Sequence, residues 1–149
     1  YFKKNYFDLN PISDPDHVSL WKIIDRSSKV GSAYYLDSES KYWDMINKAA
    51  SGKGENHLFQ VRRTKIRACP ENTCPTLTAN MGGGGHNVPL LRDEKGVRKL
   101  TPRECFNLQG FPPDYKLPEL CDSALYKLAG NAVSVPVVSL IVNKLEQII

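Results

Sequence analysis

The side chains best suited to chemistry fall in three places along the chain. Between Lys53 and Arg67 stand Lys53, Arg62, Arg63, Lys65 and Arg67 against the single acid Glu55. They carry the whole net charge of +4, because the remaining fifteen basic and fifteen acidic residues cancel. Phosphate contacts require such a local concentration, since each neutralised phosphate releases condensed counterions; a solvated charged strand has the same composition. The second place is the run Gly82-Gly-Gly-Gly85, where a phosphate cradle is conceivable. Neither the Walker spacing nor the dinucleotide Gly-x-Gly-x-x-Gly fits, because His86-Asn87 leads into Val88-Pro89-Leu90. The third is the set Cys69, Cys74, Cys105 and Cys121. Their spacing is irregular, they include no Cys-x-x-Cys pair, and His17, His57 and His86 do not cluster with them. Reduced intracellular thiols are expected, with a disulfide or a metal site as the alternative.

These residues need elements to hold them. Leu20, Ile23 and Ile24 share a face, which predicts a short helix within 17–25. A second helix is expected from an N-cap near Asp37 or Ser38 through Tyr42, Met45, Ile46 and Ala49, with Gly52 as its left-handed cap. Residues 57–62 and 65–68 have strand character, followed by a loop with Pro70 and Pro75. Four consecutive glycines predict a flexible loop. Residues 87–92 and 97–100 are expected to pair across the turn sequence Asp93-Glu-Lys-Gly96. Thr101, Pro102 and Glu104 spell N-cap, N1 and a capping-box N3, with Gly110 as the stop. Ser123 to Ala129 should form a helix closed by Gly130, and the turn Gly130-Asn131-Ala132-Val133 reads in isolation as an ordinary helix-to-helix cap. Val135 to Ile149 would make a helix apolar around much of its circumference, which calls for burial on more than one side. A chain of 149 residues has little to bury it with, so a missing partner surface is expected.

The apolar fraction of 41% and charged fraction of 24% belong to a globular chain. No uninterrupted apolar run of about eighteen residues is present, so no membrane span is expected. The first residue is Tyr1, and nothing near it resembles a signal peptide. An excised piece of a longer product is expected on that ground. Mixed α/β architecture is the expected fold class.

Two blocks are more specific. Arg98-Lys-Leu-Thr-Pro-Arg-Glu-Cys-Phe-Asn-Leu-Gln-Gly-Phe-Pro-Pro113 and Tyr126-Lys-Leu-Ala-Gly-Asn-Ala-Val-Ser-Val-Pro-Val-Val138 resemble, in order, motifs IX and X of the cytosine-5 DNA methyltransferases. Upstream, Cys74-Pro-Thr-Leu-Thr-Ala-Asn-Met-Gly-Gly-Gly-Gly-His-Asn-Val-Pro89 resembles the end of that family's target-recognition region. The resemblance is strong from about Thr73 to Ile149 and weak from Tyr1 to Lys53.

In that family a cysteine of a Pro-Cys motif attacks C6 of a flipped-out cytosine, and a glutamate of Glu-Asn-Val engages N3. C5 then takes a methyl group from S-adenosylmethionine. No cysteine here follows a proline, since Cys69-Pro70 and Cys74-Pro75 run the other way. Glu71-Asn72-Thr73 imitates Glu-Asn-Val at a position inside the recognition region. Gln60-Val-Arg62-Arg63 imitates a Gln-x-Arg motif, but the sixteen positions from Gln60 to Thr76 cannot hold a recognition region. All three are expected to be decoys, leaving no catalytic residue and no metal site in the chain.

The resemblance implies a small recognition domain over 1–115 and a C-terminal helical segment over 116–149. The latter would pack on a Rossmann-like catalytic domain outside the chain. Arg62, Arg63, Lys65, Arg67 and Thr76 are the expected DNA contacts, with arginine forks suited to guanine O6 and N7. Thr101, Arg103 and Glu104 fall in motif IX, with an organising role for Arg103 and Glu104. Asn131, Ala132 and Val133 would touch S-adenosylmethionine, with Ala132 where many members carry serine. The implied partners are double-stranded DNA and the catalytic domain or subunit of the same enzyme, with no membrane. The implied setting is the cytoplasm of a bacterial or phage-type restriction-modification host. A non-catalytic recognition subunit of a split enzyme, or an inactive DNA-binding remnant, are the alternatives.

Overall fold

The computed structural model describes residues 18–24, 29–51, 57–62, 65–83 and 87–147. Its centre is a four-stranded antiparallel sheet in the order β2-β1-β3-β4, built from β1 (Phe59–Arg62), β2 (Lys65–Ala68), β3 (Leu90–Asp93) and β4 (Gly96–Lys99). With the flanking helices this is the mixed α/β architecture the sequence predicts. Alternation along the strands gives the sheet two different faces. Phe59, Val61, Ile66, Ala68, Leu90 and Val97 pack toward α2 (Lys41–Ala50), whose Ile46 is fully buried among them. Leu58 and Leu91 enter the larger core beneath α1 (Leu20–Ile23), α3 (Pro102–Leu108) and α4 (Asp122–Asn131). Leu125, Tyr126 and Ala129 of α4 share that core with Leu20, Leu100 and Phe106, so one core spans sequence on both sides of residue 115.

Helix α2 begins at Lys41 with Ser40 as N-cap, later than the expected start at Asp37 or Ser38. Asp37 is otherwise engaged: its carboxylate accepts the Glu39 amide at 3.0 Å and its carbonyl accepts the Ser40 amide at 2.9 Å. This side-chain-closed turn precedes the helix and defers its start. The expected cap at Gly52 lies outside the described residues. The β3–β4 turn is also tighter than expected. Asp93 pairs with Gly96, so only Glu94 and Lys95 lie between the strands, and the Asp93 carboxylate accepts the amides of Lys95 and Gly96.

Helix α3 carries the full capping box: Thr101 Oγ1 accepts the Glu104 amide and the Glu104 carboxylate accepts the Thr101 amide. Gly110, at φ +86°, ends it as expected, with the Phe111 amide reaching back to the Phe106 carbonyl. Gly130 does something else. Helix α4 runs through it to Asn131. A Cβ on Gly130 would collide with the carbonyl group of Thr78, and one on Gly82 would collide with the Ser123 carbonyl. Glycine at both positions lets α4 lie directly on the 3-10 turn Ala79–Gly82. Close backbone approach, rather than helix termination, explains Gly130.

Helix α5 (Val135–Glu146) contains no buried residue. Val137, Val138, Ile141, Val142 and Leu145 form a stripe between 38% and 50% exposed. Covering the exposed half of each is worth on the order of 1 kcal/mol, and the described residues do not cover it. Asp122–Glu146 has the length and hydropathy of a membrane span. It is nevertheless two helices, separated at Ala132–Ser134, and α4 supplies core residues.

Candidate nucleic-acid interface and cofactor groove

The register of the β1–β2 hairpin sorts its side chains cleanly. Phe59 faces Ala68 and Val61 faces Ile66 on the α2 side, so Gln60 with Arg67 and Arg62 with Lys65 share the opposite side. Arg62, Lys65 and Arg67 are all exposed. The hairpin is the sheet edge remote from β4, so its basic face lies at the rim. Arg63 lies outside the described residues, as does Lys53.

The loop leaving β2 is fastened before it reaches Thr76. The Cys69 amide donates to the Leu58 carbonyl, and His57 Nδ1 lies 2.8 Å from the Cys69 carbonyl. Asn72 adopts φ +56°, a conformation asparagine tolerates better than most residues. Its Oδ1 accepts the Leu20 amide at 2.6 Å, at the first turn of α1. The Glu71-Asn72-Thr73 triplet thus has a structural task, tying the loop to the N-terminal helix.

Beyond this staple the loop meets the end of α4. Cys74–Leu77, Leu108, Gln109 and Ala132–Ser134 together line an open groove of about 480 Å³. Two sets of residues 56 positions apart, Thr76 and Ala132, are therefore brought to one surface. Asn131, the last residue of α4, is exposed beside it, and Val133 is 64% exposed.

A buried ionic cluster stands at the start of α3, whose end reaches the groove. Arg98 on β4 donates from Nη1 and Nη2 to Glu104 Oε2 and Oε1, both at 2.9 Å, and from Nε to Asp93 Oδ2 at 3.0 Å. Its Nη1 also reaches the Lys99 carbonyl, and Tyr35 Oη donates to Asp93 Oδ2. Burial alone would lower the Arg98 pKa, but hydrogen bonds and charge from Glu104, then Asp93, together raise it. Glu104 is therefore partnered by Arg98. Arg103 turns elsewhere and donates to the Tyr115 carbonyl at 2.6 Å, so Arg103 and Glu104 organise different neighbours.

The four cysteines are free thiols, and no group of three metal-ligating side chains occurs among the described residues. Burial pushes Cys74 up to about 12 and raises Cys105 further. Burial also raises Cys69, against the opposing pull of Arg67 and Arg62. Thiols so raised are poor nucleophiles at neutral pH. Cys121 is exposed at the start of α4, and hydrogen bonding to Ser123 lowers it.

A family model described as C-5 cytosine-specific DNA methylase matches residues 1–147. The chain belongs to that family. It is 43% identical over 137 residues to the Type II methyltransferase M.Bsp6I of Bacillus sp. (strain RFL6), covering 91% of this chain and 43% of that protein. It is 36% identical over 154 residues to M1.ScrFI of Lactococcus lactis subsp. cremoris, covering 96% and 38%. M.SsoII of Shigella sonnei is 30% identical over 154 residues, covering 93% and 38%. The chain thus spans about two fifths of the length of these relatives.

Within this DNA methylase chain, three structural residues escaped the sequence reading. Arg98 was visible only as a member of the motif, Asn72 only as part of a decoy, and Gln109 not at all as a functional position. The signal for Arg98 was its invariably costly burial: an arginine between apolar Val97 and Leu100 on a predicted strand needs a carboxylate partner. Gln109 offers no comparable local signal, because its partners lie 20 and 23 residues further on.

Proposed function

We propose that this chain is the DNA-recognition part of a DNA (cytosine-5-)-methyltransferase that transfers a methyl group from S-adenosylmethionine to C5 of a cytosine in a specific duplex site. Residues 1–115 read DNA and residues 116–149 close onto the catalytic part. The single observation that carries this reading is the groove in which the Thr76 loop faces Ala132 and Val133. A methyltransferase must hold its DNA-reading surface and methyl donor side by side, and this groove joins the residues we assign to each.

Arg62, Arg63, Lys65 and Arg67 contact phosphates and guanine edges, and Thr76 contacts DNA beside the groove. Exposed Val133 with Thr76 and Ser134 in the lining, and exposed Asn131 next in the chain, give the mixed polar and apolar character of one side of a small-molecule site. S-adenosylmethionine, when bound, supplies an electrophilic methyl group. Ala132 offers no hydroxyl, so any polar contact at that position is made by its backbone. Thr101 and Glu104 fix the start of α3, and Arg103 fixes the 112–115 turn; none of them touches substrate.

The apolar stripe on α5 supports docking against a catalytic partner surface and argues against a self-sufficient DNA-binding module. A separate subunit working in trans would use the same residues in the same way. As in its Type II relatives, the methylation belongs to a restriction-modification setting in a bacterial or phage-type host.

The test compares the 149-residue chain with the full-length protein that carries it, each given duplex DNA and methyl-labelled S-adenosylmethionine. Label should enter cytosine C5 only with the full-length protein. Turnover by the chain alone would defeat the assignment of a non-catalytic part.

A further inference from the structure

One residue holds the turn between α4 and α5 from beneath. The Gln109 carboxamide donates from Nε2 to the Ala129 carbonyl at 2.9 Å and lies 3.5 Å from the Ala132 carbonyl. Its main-chain carbonyl accepts the Val135 amide at 2.8 Å. Its own amide is bound back into α3, to the carbonyls of Cys105 and Phe106. The next residue, Gly110, is approached so closely by the Pro136 ring that a Cβ there would collide with Cδ. One position thus bonds to both flanks of the break Ala132–Ser134, through its side chain on the α4 side and its main chain at Val135, and it also lines the groove with Thr76.

We infer that Gln109 is a positioning residue: its carboxamide sets where Ala132 and Val133 stand relative to Thr76, and through them the affinity for S-adenosylmethionine. The inference rests on the proposed function for the identity of that ligand, but the clamp itself stands on the bonds alone. The carbonyl of Ala129 is the last but two in α4 and has no amide of a continuing helix to accept, because the chain turns away at Ala132. An orphan acceptor of this kind takes a side-chain donor where one is at hand. The carboxamide NH2 carries two hydrogens and can serve both carbonyls at once, so shape without donors is insufficient. Gln109→Met keeps length and removes both donors. Gln109→Glu keeps shape, presents a negative oxygen to two carbonyls when ionised, and regains one donor when protonated.

The experiment uses the full-length methyltransferase that carries this chain. For Gln109→Met, KM and the dissociation constant for S-adenosylmethionine should each rise about tenfold, the scale of one lost hydrogen bond, with kcat within about twofold. Amide exchange at Ala132 to Val135 should accelerate while the sheet amides stay protected. Gln109→Glu, ionised at neutral pH, sets a carboxylate against two carbonyls and should bind S-adenosylmethionine no better than Gln109→Met. Merely structural damage would instead lower kcat and stability together, with no selective loss of cofactor affinity, and that pattern overturns the inference. Unchanged cofactor affinity and unchanged exchange in Gln109→Met also overturn it. Should the wild-type protein bind no S-adenosylmethionine, the proposed function fails; faster exchange in the variant would then still uphold the clamp, and unchanged exchange would sink it.

Discussion

Replacing Arg98 by methionine removes the centre of the buried cluster and keeps most of its volume. The guanidinium makes two bonds to Glu104 at 2.9 Å and one to Asp93 at 3.0 Å, and its side chain is fully sealed from solvent. Methionine strands two carboxylates, each less than a tenth exposed, without their cation. Tyr35 and the Thr101 amide would still donate to them, which softens the loss but does not neutralise it. Breaking a buried ion pair from one side costs about 3–5 kcal/mol, a large share of the roughly 5–15 kcal/mol of a whole domain. At about 2–4 °C per kcal/mol for a chain of this size, the melting temperature should fall by roughly 10 °C. Urea unfolding followed by tryptophan fluorescence measures the change, because Trp43 lies against the β3–β4 hairpin. Removing the charges together, as Arg98→Met with Glu104→Gln and Asp93→Asn, should recover part of the loss. A single Arg98→Met variant within about 1 kcal/mol of wild type, or a triple variant worse than the single, would refute the reasoning.

Gly130→Ala places a methyl group into the Thr78 carbonyl and should destabilise by roughly 1–3 kcal/mol, against the slight gain expected if Gly130 were a simple exposed helix position; thermal unfolding distinguishes the two. Lys65→Ala and Arg67→Ala, both exposed on the hairpin, should each weaken DNA binding by the parent enzyme and reduce its log–log salt slope by about 1; fluorescence anisotropy across a salt series reads this, and an unchanged slope removes the residue from the phosphate-contact set. Tyr34 is raised to about 12 by burial first and by its hydrogen bond to Asp122 second, from a reference of 10.0. A phenol raised on folding stabilises fully below its unfolded pKa and loses that contribution as pH climbs through the folded value. The chain should therefore weaken between about pH 10 and 12, with Tyr34→Phe blunting that loss; phenolate absorbance in the two proteins checks it, and identical titrations would contradict the burial of this hydroxyl.

What could be read from the sequence follows from how far each signal reaches. The capping box of α3 needs only residues 101 to 104, and each strand needs only its own alternation, so both were legible. The start of α2 was misplaced because Asp37, Ser38 and Ser40 are all competent caps, and only the turn closed by the Asp37 carboxylate decides among them. Gly130 was misread for a related reason. A glycine near a helix end signals termination or close approach equally well, and the Thr78 carbonyl that decides lies 52 positions away. The candidate site divides the same way. Thr76, Ala132 and Val133 were reached through resemblance to family motifs, but their meeting in one groove required the fold.

The long-range contacts that escaped the sequence form a continuous support. Asp93 and Arg98 fix Glu104 to the sheet at the first turn of α3, and Gln109 fixes its last residue to the α4–α5 turn. With seven residues at about 1.5 Å each, α3 is a strut of roughly 10 Å between the ionic cluster and the groove. The basic hairpin hangs from the opposite edge of the same sheet, joined to β3 through the single pairing of Phe59 with Leu90. The exposed Arg62, Lys65 and Arg67 stand outside the core that Leu58 shares with α3, whereas Arg98 acts on the anchored end of α3. DNA affinity and groove geometry should accordingly vary independently when the hairpin is altered, and together when the cluster is. Such a division would let a DNA-reading edge, as proposed for the hairpin, diverge while the groove keeps its shape.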